Sequence, residues 1–306
     1  SMEALERPGC ARCLGACRCH TGESGLCQVF PGIQLRWTDS REPQGGVGGT
    51  PSPAAFEIRH CREGGAEWEW GDAYCCLSPG DLAIARQSDM GAEARFPLGR
   101  YRGITVTVDL SLAPEDFAAI LPEVNVRPRE LMEKFTAQGR GYVARSHPAV
   151  EHIFSELYDL PESIRAGYCK VKVLELLLFL SALDVEENEE PGHVISRPRM
   201  ELAQEVARYL SEHMESRVTL EMLSKRFHAS GTSIKSSFKA VYGVSLYSYV
   251  RTQKMRAAAL RLRETEDSVL EIAGALGYGN GSKFAKAFRE VMGTSPAAYR
   301  RQSQET

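Results

Sequence analysis

One segment of 21 residues occurs twice in the C-terminal third of this 306-residue chain. Residues 231–251 read GTSIKSSFKAVYGVSLYSYVR, and residues 281–301, fifty positions later, read GSKFAKAFREVMGTSPAAYRR. The two copies share seven residues: Gly231/Gly281, Phe238/Phe288, Val241/Val291, Gly243/Gly293, Ser245/Ser295, Tyr249/Tyr299 and Arg251/Arg301. The repeat therefore restricts this part of the chain to an architecture with two equivalent units.

Each copy predicts two helices joined by a short turn. In the first copy, Thr219 is a predicted helix cap, HAS forms the turn, and Gly243 ends the second helix. The apolar residues of these helices recur at spacings of three and four: Leu220, Leu223 and Phe227 in the first, and Ile234, Phe238 and Val241 in the second. The pattern is that of a helix-turn-helix motif.

The second copy repeats this arrangement, with YGNG as its turn, Asn280 as a predicted cap and Gly293 as the stop. Between the copies, residues 246–263 predict one connecting helix. The C-terminal region, residues 199–302, is therefore predicted to be all-α with two helix-turn-helix motifs.

The charge of the chain is divided unevenly on either side of Ser196. Residues 197–306 contain 18 Lys and Arg against 11 Asp and Glu, a net charge of +7, whereas the preceding residues carry 19 against 29, or −10. A basic module joined to an acidic one is typical of a nucleic-acid-binding protein with a second domain. The acidic, Pro- and Gly-containing stretch at 186–198 is the predicted linker.

Two motifs joined by one connecting helix can bind two successive major grooves of DNA, because the major groove returns to the same face of the duplex about every 10 base pairs, ~34 Å. The predicted base-contacting residues lie opposite Phe238 and Phe288: Thr232, Ser233, Lys235 and Ser236 in the first copy, and Ser282, Lys283 and Lys286 in the second. Lys239 and Arg289 are better placed for phosphates. A helical repeat without a DNA role is the alternative.

Residues 199–302 resemble the DNA-binding domain of the AraC/XylS family of transcription regulators, above all in FREVMGTSPAAYRR. The resemblance implies a transcription regulator that binds promoter DNA and contacts RNA polymerase. Two positions depart from the family pattern: Ser236 replaces a long basic side chain, and Arg261 stands where Leu is usual. The first departure predicts that the N-terminal motif reads fewer bases than the C-terminal one.

The region 31–185 has strand-like alternation in its first half, at 56–72 around a Gly-Gly turn, at 74–85 and at 104–112. These segments predict a small antiparallel sheet or β-barrel, so the whole chain is predicted to be α+β. The resemblance implies a cupin-like sensor barrel here, and LSPGDLAI and FPLGRYRGI are similar to the subgroup that contains the pyochelin siderophore regulator.

Four helices are predicted to follow the strands, at 114–122, 128–136, 148–158 and 162–184. The last has an apolar stripe of Val173, Leu176, Leu177, Leu180 and Leu183, which suits either the core or a homodimer seam.

Metal and catalytic motifs are weak in the predicted barrel. His60 stands only beside Cys61, whereas metal centres of cupins require several histidines. Trp68, Trp70, Tyr74 and Phe96 either line a ligand pocket or form core. The chain contains neither a P-loop nor a Ser/His/Asp pattern, so we expect no enzyme activity.

Five of the nine cysteines lie in residues 1–30, the predicted Cys-rich segment. Cys10, Cys13, Cys17, Cys19 and Cys27 are candidates for a thiolate-bound metal such as Zn(II) or Cu(I), an iron–sulfur cluster or a redox-switched disulfide. A segment without function is the alternative.

Two functional classes remain. The first is a transcription regulator whose N-terminal region senses a small molecule, a metal or an oxidant. The second is a methyl-accepting repair protein of the Ada type, although the cysteines are too closely spaced for its zinc module. Since the longest apolar run, 173–183, contains Glu175, and no signal-peptide pattern is visible, we expect a cytoplasmic protein without a membrane span.

Overall fold

A computed structural model describes residues 25–49, 52–71, 73–137, 141–144, 147–185 and 194–304. These residues fall into two compact units, divided between Ser196 and Arg197. None of the helices in these ranges combines the length and the apolar character needed to cross a membrane.

The first unit contains two antiparallel sheets. Its strands are β1 Gly25–Phe30, β2 Ile33–Ser40, β3 Gln44–Gly46, β4 Ala55–Gly64, β5 Ala66–Trp70, β6 Ala73–Leu77, β7 Leu82–Arg86, β8 Glu93–Arg95, β9 Tyr101–Asp109, β10 Tyr142–Ala144 and β11 Val194–Ser196. The six-stranded sheet has the order β1-β2-β9-β4-β7-β10, and the five-stranded sheet has the order β11-β6-β5-β8-β3.

The predicted closed barrel is wrong, because the strands of the described residues divide into two sheets. The predicted Gly-Gly turn does not form a hairpin: β4 pairs with β7 and β9, whereas β5 pairs with β6 and β8. The chain changes sheets at Gly64–Gly65. Gly64 has φ +75°, and a Cβ there would come within 1.9 Å of the Arg100 carbonyl oxygen, so the crossing requires glycine.

Strand β4 is buried on both faces from Ala55 to Cys61, and its last three residues are half-buried. Phe56 and Ile58 point into a core between the six-stranded sheet and the helices, and Cys61 belongs to a second core that involves the other sheet. The first core mixes aliphatic side chains with phenylalanines such as Phe56 and Phe154, while the second contains Trp68 and Trp70.

Three helices accompany the six-stranded sheet: α1 Pro128–Thr136, α2 Pro148–Ser155 and α3 Arg165–Ala182. The predicted helix at 114–122 is wrong, since only a 3-10 turn forms at Phe117–Ala119. Pro122 disfavours helical backbone at Leu121 and so limits this segment. In α3, the predicted stripe packs into the core, with Val173, Leu176, Leu177 and Leu180 all at 1% exposure or less.

The second unit is helical throughout its described elements. It contains α4 Arg197–Glu212, α5 Leu220–Phe227, α6 Gly231–Tyr242, α7 Leu246–Glu264, α8 Val269–Ala275, α9 Gly281–Met292 and α10 Pro296–Gln304. The predicted connecting helix is α7, and the predicted cap Thr219 accepts a hydrogen bond from the Met222 N–H. Local capping and glycine signals thus determine most boundaries in this unit.

Candidate nucleic-acid interface

The sequence repeat corresponds to two helix pairs, α5–α6 and α8–α9, with the same internal contacts. Phe238 and Phe288 are fully buried in α6 and α9. Each ring meets a tyrosine of the following helix edge to face: Phe238 and Tyr249 at 5.1 Å and 79°, and Phe288 and Tyr299 at 5.6 Å and 77°. The same aromatic contact therefore anchors α6 and α9 in their respective copies.

The repeated glycines at the start of α6 and α9 are explained by close helix packing. A Cβ on Gly231 would lie 2.8 Å from Leu220 Cδ2, and a Cβ on Gly281 would lie 2.8 Å from Leu270 Cδ2. Leu220 and Leu270 occupy equivalent places in α5 and α8. Both pairs thus bring their two helices together at a position where a side chain would collide.

Side-chain caps define where α6 and α9 begin. The Ser230 hydroxyl accepts a hydrogen bond from the Ser233 N–H at 3.1 Å. Asn280 caps α9, as predicted, by accepting bonds from the Ser282 and Lys283 N–H groups at 2.8 and 3.1 Å. These caps satisfy N–H groups that would otherwise lack intrahelical partners, and they hold the first turn of each helix in place.

The same kind of stop ends both helices. Gly243 and Gly293 have φ of +70° and +80°, so both adopt the left-handed conformation that glycine tolerates. A further helix follows each glycine. In the first copy the Ser245 hydroxyl caps it by accepting a hydrogen bond from the Ser248 N–H, and in the second copy the Ser295 hydroxyl accepts the equivalent bond from the Ala298 N–H.

The residues predicted to contact DNA share the solvent-facing sides of α6 and α9. Ser233 is half-buried, while the other predicted residues are exposed: Thr232, Lys235, Ser236, Lys239, Ser282, Lys283, Lys286 and Arg289. The opposite sides hold Phe238 and Phe288 in the core. Each helix thus presents one polar face whose direction is set by its buried aromatic residue.

The exposed faces are basic. Helix α6 contains two lysines and no acidic residue, while α9 contains three basic residues and one acidic residue, Glu290. Glu290 forms an ion pair with Arg251 of α7, so the one negative charge of α9 is paired within the protein. Such a surface is suited to an anionic partner.

Sequence reasoning missed two arginines that join the helices of this unit. Arg251 connects α7 to α9 through the ion pair with Glu290. Arg300 of α10 donates to the carbonyl oxygens of Leu262, Thr265 and Asp267, at 3.1, 3.3 and 2.6 Å, and so closes the C-terminal end of α7. Arg251 is repeated as Arg301, which was a usable signal, whereas nothing in the local sequence marked Arg300.

The two departures from the family pattern have local structural consequences. The Ser236 hydroxyl donates to the Ser233 carbonyl oxygen at 3.2 Å, within its own helix, so it extends less far than a lysine would. The Arg261 guanidinium lies 3.7 Å from the Glu215 carboxylate, which joins α7 to the segment after α4.

A wide cleft beside α6 was also not predicted. It has a volume of about 480 Å³, and Lys235 and Lys239 line it together with apolar side chains such as Leu223, Leu246 and Val250. Tyr247 stands at this cleft with 77% of its surface exposed, which makes it an aromatic group available beside the basic face.

The predicted cysteine site is only partly described. Cys10, Cys13, Cys17 and Cys19 lie outside the described residues, while Cys27 is buried in β1. Within the described ranges, no three His, Cys, Asp or Glu side chains are grouped in a way that could hold a metal ion.

His60 is part of a structural contact in the first unit. Its Nε2 lies 2.7 Å from Glu151 Oε1, and its ring stacks on Phe154 at 4.3 Å. The hydrogen bond to His60 is the main cause that lowers the pKa of Glu151 below its ordinary value.

Of the predicted pocket aromatics, Trp68, Trp70 and Phe96 are buried in the second core, and Tyr74 with Trp68 lines a cleft of about 210 Å³.

A buried polar cluster between the sheets was not predicted. Arg59 donates to Glu57 Oε2 at 3.0 and 2.7 Å and to the Gly91 carbonyl oxygen at 2.7 Å, and its guanidinium lies 4.9 Å from the Trp68 ring centre. Gln87 donates to Glu57 Oε1 at 2.9 Å. Arg59 Nη1, by contrast, is buried without a hydrogen-bond partner in the described part of the chain.

Comparison with known proteins gives matches that concentrate on the second unit. A family model described as a helix-turn-helix domain matches residues 223–302. The uncharacterized HTH-type transcriptional regulator YdiP of Escherichia coli K12 is 40% identical over 101 residues, which are 33% of each chain. The regulatory protein SoxS of the same strain is 27% identical over 99 residues, 32% of this chain and 92% of SoxS.

One relative extends further into the chain. The HTH-type transcriptional regulator MtrA of Neisseria gonorrhoeae is 24% identical over 162 residues, 51% of this chain and 54% of MtrA. The chain thus spans about a third of YdiP and about half of MtrA. Among solved structures, the DNA-binding domain of AdpA in complex with a target DNA is 28% identical over 34% of this chain and 93% of that one, with a TM-score of 0.32.

Proposed function

Since the chain belongs, through its C-terminal unit, to the AraC/XylS family of transcription regulators, we propose that it binds promoter DNA through both helix pairs. The observation that carries this proposal is the repeated anchoring of α6 and α9, whose buried phenylalanines turn a basic polar face outward in each copy. Each pair then acts as a helix-turn-helix motif, with α6 or α9 as the helix that enters the major groove.

The connecting helix has a length that suits two successive grooves. A 19-residue helix such as α7 is about 28 Å long, comparable with the ~34 Å between major grooves on one face of DNA. Because Arg251 joins α7 to α9 and Arg300 closes the end of α7, the C-terminal motif is attached firmly to this helix.

We assign base contacts to the N-terminal halves of the two recognition helices and phosphate contacts to the next turn. The base-reading residues are Thr232, Ser233, Lys235, Ser236, Ser282, Lys283 and Lys286. Lys239 and Arg289 follow on the same exposed faces and bind the sugar-phosphate backbone. Ser236, bonded within its own helix, makes the first motif the weaker reader.

For the first unit we propose a cupin-like sensor that binds an effector. Its support is the cleft of about 210 Å³ that Trp68 and Tyr74 line together with Glu67, Glu69 and Arg95. Cys10, Cys13, Cys17 and Cys19 offer thiolates for a metal or an iron–sulfur cluster. An effector would change DNA binding or the contact with RNA polymerase, and a homodimer would extend the DNA site. The comparisons lend no support to the Ada-type alternative.

A footprint on DNA selected from a random library tests the DNA-binding proposal. Hydroxyl-radical cleavage with the full chain is expected to show two protected clusters per subunit, about 10 base pairs apart on one face of the duplex. Protection of a single cluster, or of two clusters on opposite faces, would contradict the use of both motifs. A variant with Lys235, Lys239, Lys286 and Arg289 all changed to Ala serves as the non-binding control.

A further inference from the structure

Two cysteines meet where the edge strand of the six-stranded sheet packs against the longest helix of the first unit. Cys27 lies in β1 and Cys169 in the second turn of α3, at 2% and 0% exposure. Both belong to the core in which α3 packs against β1, and the Cys169 thiol is within hydrogen-bonding reach of the Cys27 sulfur, which itself donates to the Gln28 carbonyl oxygen at 3.9 Å. The sequence grouped Cys27 with the N-terminal cysteines, whereas the fold gives it a partner 142 positions away.

The surroundings of Cys27 favour its thiolate. The hydrogen bond from Cys169 lowers its pKa most, burial acts in the opposite direction, and the positive charges of Arg165 and Lys170 lower it further, to about 7. Arg165 donates to the Leu160 carbonyl oxygen at 3.3 Å, while its Nε is buried without a hydrogen-bond partner among the described residues.

The other buried cysteines of the described chain lack this environment. Burial is the main cause that raises the pKa of the Cys61, Cys75 and Cys76 thiols. Acidic groups such as Asp81 raise it further, and at Cys75 the charge of Arg59 opposes the effect of burial without reversing it. At neutral pH these thiols stay protonated and unreactive, whereas the lowered pKa of Cys27 favours its thiolate. Reactivity toward an oxidant is therefore concentrated at one sulfur that already has a second thiol beside it.

We propose that Cys27 and Cys169 form a redox site, in which a peroxide oxidises the two thiols to a disulfide that ties β1 to α3. The Cys27 thiolate attacks one peroxide oxygen; an S–O bond forms, the O–O bond breaks, and hydroxide leaves and takes up a proton as water. The Cys169 sulfur then attacks the Cys27 sulfenic acid, an S–S bond forms, and the second oxygen leaves as water. One peroxide gains the two electrons that the two thiols lose.

The location gives this bond a structural effect. Strand β1 is the outermost strand of its sheet, paired only with β2 in the described fold, and edge strands open more readily than central ones. Such opening admits a small oxidant to the buried pair, and the disulfide then joins the edge strand covalently to α3. The site is independent of the DNA-binding proposal, because it lies wholly within the first unit.

Peptide mapping of the full chain tests the proposal without any substitution. The reduced protein is treated with hydrogen peroxide, free thiols are blocked with iodoacetamide, and the digest is analysed without reduction. We expect a linked peptide pair containing Cys27 and Cys169, two hydrogens lighter than the separate peptides and restored to them by dithiothreitol. Before oxidation, alkylation at pH 7 should modify Cys27 at least about tenfold faster than Cys75.

Two variants sharpen the test. In Cys169→Ser, the linked peptide should disappear and dimedone should trap the Cys27 sulfenic acid, while the control Cys75→Ser should form the link as the unaltered chain does. The proposal is overturned if Cys27 and Cys169 both remain thiols after peroxide treatment of the folded protein. It is also overturned if Cys27 pairs instead with a cysteine of the segment 10–19.

Discussion

Single residues differ between the two copies mainly where they face solvent. The buried Phe238 and Phe288 are identical, whereas Ser236 of α6 stands at the position of Lys286 in α9. Packing keeps the central phenylalanine in both copies, although Ile234 and Phe284 differ at an equivalent buried position, and each exposed face is free to carry its own contacts. The two motifs therefore share a scaffold and are expected to read DNA unequally.

We predict that Lys286→Ala relaxes base preference more than Lys235→Ala does, and at a different part of the DNA site. Each change should cost about 1–3 kcal/mol where the lysine contacts a base. The larger loss is expected for Lys286 because Ser236 leaves the first motif the weaker reader. Affinities for a library of single-base variants of the selected site measure both effects.

Lys239→Ala and Arg289→Ala provide the matched controls. Phosphate contacts release counterions without reading bases, so these changes should weaken binding to all sequences alike and reduce the slope of log affinity against log salt concentration by about one. If Lys235→Ala and Lys286→Ala relax the same base positions, the assignment of one groove to each motif is wrong.

At the level of elements, the repeated unit depends on close contact between its two helices. Gly231 and Gly281 each face a leucine of the preceding helix at a distance too short for an added Cβ. The two leucine side chains differ in how easily they can move, however, since Leu270 is 70% exposed and Leu220 is half-buried. An exposed leucine can rotate away, while a half-buried one must displace its neighbours.

We therefore predict that Gly231→Ala destabilises the second unit, by about 1 kcal/mol or more, and that Gly281→Ala has a smaller effect. Gly274 of α8 is the control, because a Cβ there would have no atom within 4 Å. Gly274→Ala should raise the free energy of unfolding by about 0.5–1 kcal/mol through helix propensity alone. Urea denaturation of the three variants gives the order, and equal effects at the three sites would contradict the packing argument.

At the level of the whole molecule, charge and compactness divide the chain at the same place. The unit that follows Ser196 has its own buried core, including Phe284, Phe288 and Met255, and it carries the net positive charge. The acidic first unit holds the sheets, the polar cluster and the Cys27–Cys169 pair. A unit with its own core and its own exposed basic faces should act without the other.

We predict that a fragment of residues 197–306 folds cooperatively and retains the base preferences of the full chain on the selected DNA site. Circular dichroism during heating measures the first property, and competition between site variants measures the second. A fragment that is unfolded, or that is folded with altered base preferences, would show that the first unit contributes directly to the structure or to the reading of DNA.

The helices of the second unit could be located from sequence because their signals are local. Thr219, Asn280, Gly243 and Gly293 act on backbone groups within a few residues, so each marks its helix end before any tertiary contact is known. The apolar spacing around Phe238 and Phe288 likewise predicted which faces stay exposed.

The first unit depended on contacts that no local pattern encodes. Alternation identified strands near β4 but not their partners, and only the folded chain shows that Gly64–Gly65 leads from one sheet into the other. Tertiary packing also buries Glu57 beside Arg59 and brings Cys27 next to Cys169. Pairing of distant segments depends on how whole faces pack together, whereas a helix is closed by hydrogen bonds four residues apart.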